Sequence, residues 1–179
     1  SGTFESYGGL GGLMGTTIIA DSTKDFSSTQ GYKNWQYGYY DNELTPASFK
    51  LLPVFYAATD PKANGWWYSG GSEYHTAVDQ IGGHPHGPAS TRPKQVEQWS
   101  VRRWTSGYTG TIRISGNIND MNRDAGGDDG ITGRIIFNGD EVYSVLVNNA
   151  SKVEGVNYSI NLNVTKGQAI DFAIDPNAW

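Results

Sequence analysis

The feature that most constrains this chain is alternation of apolar and polar residues in short runs. Tyr158-Ser-Ile-Asn-Leu-Asn-Val164 places Tyr158, Ile160, Leu162 and Val164 on one side of an extended segment. Ile112 and Ile114 alternate in the same way with Thr111, Arg113 and Ser115. No segment keeps an apolar stripe at helical spacing for three turns, and 24 glycines and 7 prolines break the chain at short intervals. Strands are predicted over 16–21, 35–40, 49–57, 98–104, 109–118, 131–138, 141–147, 157–164 and 169–174. Asn138-Gly139-Asp140 between two apolar runs reads as a tight hairpin turn. Strands of this number and spacing predict an all-β fold, a jelly-roll β-sandwich of two antiparallel sheets.

Residues 1–15 carry six glycines and read as a flexible lead-in or linker, with a single domain over 16–179. They hold no basic head followed by an apolar run, so no signal peptide is read there. The stretch 59–97 is rich in Gly, Pro, His and Ser and is expected to be a long irregular loop, a usual place for function.

A formal net charge of −5 disfavours binding to a phosphate backbone, since Arg102-Arg103 is the one basic cluster. No apolar window is long enough for a spanning helix. The absence of cysteine excludes disulfides, thiolate metal sites and a Cys nucleophile.

Six tryptophans and 11 tyrosines are the strongest pointer to function. Flat aromatic faces stack on the C–H patches of pyranose rings and leave the hydroxyls free for polar partners. Trp66, Trp67, Trp104 and Tyr39 are the candidate platforms. Two adjacent tryptophans cannot readily both point inward, so one of Trp66 and Trp67 is expected in solvent. Arg102 is expected on one strand face with Trp104, and Arg103 on the other with Trp99 and Val101. An Arg fork beside a platform suits a uronate or sulfate, while the structural alternative is an ion pair. His84 and His86 are candidate polar readers. With His75 or Asp79 they would alternatively make a zinc site, although H-x-H is a weak signal. Asp120, Asn122, Asp124, Asp128 and Asp129 pack oxygen ligands into eleven residues and suggest a structural calcium loop. The pattern departs from the EF-hand, with Ala125 at its sixth position and no flanking helices. The alternative is a solvated turn.

Asp25-Phe-Ser-Ser-Thr-Gln-Gly31, Asn34-Trp-Gln-Tyr-Gly-Tyr-Tyr-Asp41, His84-Pro-His-Gly-Pro88, Val101-Arg-Arg-Trp-Thr-Ser106, Gly110-Thr-Ile-Arg-Ile-Ser-Gly116, Gly126-Gly-Asp-Asp-Gly130 and Ile170-Asp-Phe-Ala-Ile-Asp-Pro176 occur in that order. Together they resemble an accessory, carbohydrate-binding-module-like β-sandwich domain of secreted bacterial polysaccharide-degrading proteins. The resemblance covers 16–176. It implies a jelly roll, a secreted or cell-surface location, a sugar-binding role and a catalytic domain in the same polypeptide. Such domains continue past the Asp-Pro segment into a last strand, whereas this chain stops at Asn177-Ala-Trp179. Either the chain is trimmed or the segment Phe4–Tyr7 supplies that edge.

The reading is a non-catalytic module for a polysaccharide, with a lean toward an acidic or sulfated one. The rivals are a polysaccharide lyase or glycoside hydrolase on the same fold, recruiting Tyr68, His84 and Arg102, and a structural or adhesion domain of a cell-surface protein.

Overall fold

A computed structural model describes residues 2–7, 16–41, 43–59, 65–120, 130–148 and 154–177. It is all-β, with fourteen strands among those residues: β1 (Gly2–Tyr7), β2 (Thr16–Asp21), β3 (Trp35–Asp41), β4 (Phe49–Leu51), β5 (Val54–Tyr56), β6 (Trp66–Tyr68), β7 (Ala77–Asp79), β8 (Gly83–His84), β9 (Gln98–Thr105), β10 (Gly110–Ile118), β11 (Ile131–Phe137), β12 (Asp140–Val147), β13 (Val156–Val164) and β14 (Ala169–Asp175). Among the described residues no helix is long and apolar enough to cross a membrane.

The strands form three antiparallel sheets where two were expected. A four-stranded sheet runs β13-β10-β1-β2, a six-stranded sheet runs β12-β11-β14-β9-β3-β4, and a small sheet runs β5-β6-β7-β8. Alternation sets the faces. On the six-stranded sheet Trp35, Trp104 and Ile170 line up across β3, β9 and β14, as do Tyr37, Arg102, Phe172 and Ile135 across β3, β9, β14 and β11. On the four-stranded sheet Ile112 and Ile114 of β10 lie opposite Leu162 and Ile160 of β13. One buried cluster draws Phe4, Ile112, Ile114 and Tyr158 from the four-stranded sheet, Trp35, Tyr37, Trp104 and Ile170 from the six-stranded sheet, and Trp67 and Val78 from the small one. The arrangement is β-sandwich-like, with a core shared by all three sheets.

Two expectations about the chain's organisation are corrected. Residues 2–7 are not a lead-in: this segment supplies a strand, as the alternative reading had it, but in the interior of the four-stranded sheet, between β10 and β2, rather than at its edge. Phe4 is fully buried there and packs on Trp104 at 4.6 Å and Trp35 at 5.5 Å between ring centroids. The span 49–57 is two strands. Leu52 turns into the core and donates its N–H to the Tyr37 carbonyl, and Pro53 has no N–H to continue the ladder. The chain leaves the six-stranded sheet there and starts the small one, so the stretch expected to be irregular contains β6, β7 and β8.

The hairpin at 138–139 forms as expected. Asn138 and Gly139 both take positive φ (57° and 94°), the two-residue turn that matches strand twist, between the paired Phe137 and Asp140. Gly38 has a different reason: a Cβ there would sit 2.4 Å from the Phe49 ring, so its absence lets Phe49 lie over β3.

Candidate functional site

Pairing within the small sheet decides which aromatics meet solvent. Tyr56 of β5, Trp66 of β6 and Asp79 of β7 are cross-strand partners, and Val54, Tyr68, Ala77 and His84 form the next row. These two rows share the outward face. Phe55, Trp67, Val78 and Gly83 occupy the opposite face, and Trp67 and Val78 join the core.

Trp66 and Tyr56 are 42% and 45% exposed, with ring centroids 5.7 Å apart and planes within 29° of parallel. Tyr68 continues the surface at 6.0 Å from Tyr56. Its hydroxyl is placed 2.8 Å from the Tyr74 carbonyl and 2.9 Å from that of Gly71, anchoring the loop after β6. The Asp79 carboxylate accepts the N–H groups of Ile81 and Gly82, fixing the turn between β7 and β8. The result is a run of exposed aromatic rings, Trp66 stacked on Tyr56 and Tyr68 tilted against Tyr56, on a sheet whose turns are fixed by hydrogen bonds.

The other candidate platforms are elsewhere. Trp67 is buried, stacked on Tyr37 at 6.2 Å, and donates its indole N–H to the Ser27 carbonyl. Trp104 is buried against Phe4. Tyr39 is half-buried against the core, and burial pushes its phenol pKa up. Trp67 and Trp104 therefore hold the core and offer no face to a ligand.

Arg102 also moves from candidate reader to structural cross-link. It is buried on the face shared with Trp104, and its terminal nitrogens donate to the carbonyls of Ser22, Asp79, Gln80 and Gly82 at 2.5–3.3 Å. It thereby ties the β7–β8 turn to β9. Burial pulls its pKa down. Arg103 lies on the opposite face, as the alternation implied, in a bidentate pair with Asp171 at 2.7 Å for both bonds, and its guanidinium covers the Phe49 ring. Tyr40 donates to the same carboxylate.

The three histidines do come together. His75 lies 5.3 Å from His84 and 6.0 Å from His86 between ring centroids. His86 is buried. Its Nδ1 accepts the His75 N–H, so its Nε2 carries the proton donated to the Lys94 carbonyl. Both nitrogens serve the fold, and His86 is removed as a sugar reader. His84 is exposed. His75 accepts from Arg92 Nε at 3.2 Å, and burial together with the Arg92 charge lowers its pKa. Among the described residues no group of three or more His, Asp or Glu side chains is placed to hold a metal. Asn122, Asp124, Asp128 and Asp129 lie outside the described residues, and Asp120 is buried just beyond β10.

Of the predicted sugar-binding residues, then, the structure leaves Trp66 and His84 on the exposed face of the small sheet. Tyr56 and Tyr68 join Trp66 there, and His75, bonded by Arg92, lies against His84. Alternation in Val54-Phe-Tyr56 would have paired Tyr56 with Trp66 had β5 been read as a separate strand. The trio Tyr68, His84 and Arg102 is not available for lyase chemistry, because Arg102 is committed to four carbonyls. In comparisons with protein-family models, curated proteins and solved structures, none matches the chain.

Proposed function

We propose that this chain is a non-catalytic carbohydrate-binding module on a jelly-roll sandwich. It holds a polysaccharide near a catalytic domain of the same secreted or cell-surface polypeptide and raises the local substrate concentration. The observation that carries the proposal is the exposed, near-parallel pair Trp66–Tyr56 on a sheet whose other face is anchored in the core. Aromatic rings held in solvent on a rigid support suit the C–H face of a sugar. The exposed His84 at the far edge of the small sheet, with His75 and Arg92 against it, favours an acidic or sulfated polymer. A site made of a few exposed rings buries little area, so affinity is modest.

A structural calcium at Asp120, Asn122, Asp124, Asp128 and Asp129 belongs to the proposal on the chemistry of its oxygen donors. A glycan array probed with and without calcium tests both parts. The proposal expects retention on a restricted set of polysaccharides. An array with no retained glycan in either condition would overturn it.

A further inference from the structure

His75, His84 and Arg92 form one cluster beside β8, the edge strand of the small sheet. The His75 and His84 rings lie 5.3 Å apart between centroids. Arg92 Nε lies 3.2 Å from Nε2 and 3.4 Å from Nδ1 of His75, and Arg92 Nη1 donates to the Ser72 carbonyl at 3.4 Å. The His75 backbone N–H donates to His86 Nδ1, which holds the residue in place. His84 Nδ1 is 2.7 Å from the Pro85 carbonyl and must donate to it, so the lone pair of that ring is on Nε2, which has no partner among the described residues.

A guanidinium N–H only donates, so the Arg92–His75 bond exists while the ring keeps a lone pair. Either neutral tautomer keeps one within reach of Nε. A protonated ring has none, and the bond becomes a repulsion between two cations. Burial, Arg92, His84 and His86, in that order, hold the His75 pKa below 6.5. His86 is committed to the fold through both ring nitrogens, and Glu73, on the same loop as His75, is exposed.

We propose that this cluster is a proton-operated anion clamp: a proton on His75 releases Arg92, and Arg92, His75 and His84 then share the oxygens of a sulfate ester or carboxylate on the glycan. The anion takes over the acceptor role that the ring has given up, and its charge offsets the repulsion between the two cations. Proton and anion therefore favour each other. By linkage, the anion raises the proton affinity of His75 by the same factor by which the proton raises the affinity for the anion. For its polymer the clamp rests on the glycan-binding reading, and it adds that an acidic polymer is held more tightly at mildly acid pH than at neutrality. His84 stands on the same outward row as Tyr68, two strands away, roughly 10 Å at ordinary strand spacing, so one oligosaccharide lying across the sheet reaches both.

The test titrates the whole chain by NMR with D-glucose 6-sulfate, D-glucuronate and unsubstituted D-glucose at about pH 7.5 and about pH 5.5, either side of ordinary histidine titration. The imidazole rings and the Arg92 Nε–H are followed. At least one anion is expected to bind about five-fold or more tightly at the lower pH and to raise the titration midpoint of His75, which D-glucose leaves in place. Which anion does so distinguishes sulfate from carboxylate. His75→Gln keeps an acceptor for Arg92 that takes no proton, so it should bind the anion equally weakly at both pH values. Arg92→Gln, a second variant, should lose the anion at both. Neither should lower the Tm at the higher pH by more than a few degrees, which separates lost recognition from lost folding. Equal affinity at the two pH values, a pH dependence that survives His75→Gln, wild-type affinity in Arg92→Gln, or no saturable shift at His75 with either anion would each overturn the clamp. Polysaccharides retained through Trp66 while neither anion shifts His75 would overturn it and leave the aromatic surface standing. The expected anion response with no polysaccharide retained would support the clamp and count against the aromatic surface.

Discussion

Trp66 and Trp67 are chain neighbours with opposite environments. Trp66 lies nearly parallel to Tyr56 in solvent, whereas Trp67 stacks on Tyr37 and donates its indole N–H to the Ser27 carbonyl. Strand alternation makes one tryptophan a surface and its neighbour a rivet, which gives an internal control for every binding experiment. Trp66→Ala should leave the Tm within a degree or two, since little of its surface packs on the core. Trp67→Ala should cost about 3–5 kcal/mol of stability. Thermal denaturation of the two variants checks the contrast, and equal losses would contradict the assigned faces.

Phe4 should behave as a core residue of a strand usually dismissed from sequence as a leader. Its ring contacts Trp35, Trp104 and Phe172, bridging the four-stranded and six-stranded sheets. Phe4→Ala is expected to cost about 3–5 kcal/mol. Removing residues 1–7 should abolish cooperative unfolding, because β10 and β2 both lose their partner strand. Calorimetry decides it; an unchanged transition after the deletion would show that β1 is dispensable.

The Arg103–Asp171 pair carries stability on the outer side of the six-stranded sheet. Asp171→Asn leaves the guanidinium without its bidentate acceptor and should cost about 3–5 kcal/mol, as expected for breaking a buried pair from one side. Chemical denaturation measures the loss.

Acid sensitivity should come partly from Asp25. Burial opposes its charge, but the Lys33 ammonium at 2.6 Å and the Asp21 N–H at 2.9 Å outweigh it, and its pKa is lowered below 3.8. Its folded pKa thus lies below its unfolded one. The contribution is present above the unfolded value and is lost as pH falls through the folded one, below about pH 4. His75 adds a loss nearer neutrality. Burial and Arg92 hold its pKa below 6.5, so the unfolded chain takes up the proton first and stability declines as pH falls below that value. Denaturation midpoints against pH should show a smaller decline below pH 4 for Asp25→Asn and a smaller decline between about pH 6.5 and 5 for His75→Gln.

Much of the fold was legible in the sequence because period-two alternation states both strand and face. The runs read at 109–118 and 157–164 carry their pairing faces openly, and β10 and β13 pair with those apolar residues opposite one another. β1 was hidden by the glycines that follow it, and β6, β7 and β8 are too short for alternation to show. The site was half legible. Adjacent tryptophans had to diverge, which marked an exposed ring near Trp66. Nothing local separates a core indole such as Trp104 from a surface one. Arg102 was opaque for a different reason: its partners are backbone carbonyls, which leave no residue type to search for.

The most direct measurement of the central claim is affinity electrophoresis in gels containing each polysaccharide retained on the array, comparing wild type with Trp66→Ala, Tyr56→Ala and Trp99→Ala. The first two substitutions should each weaken retardation about ten-fold or more, while Trp99→Ala, which alters the six-stranded sheet where the indole donates to Glu97, should migrate as wild type. Retardation of a correctly folded Trp66→Ala variant equal to that of the wild type would contradict it.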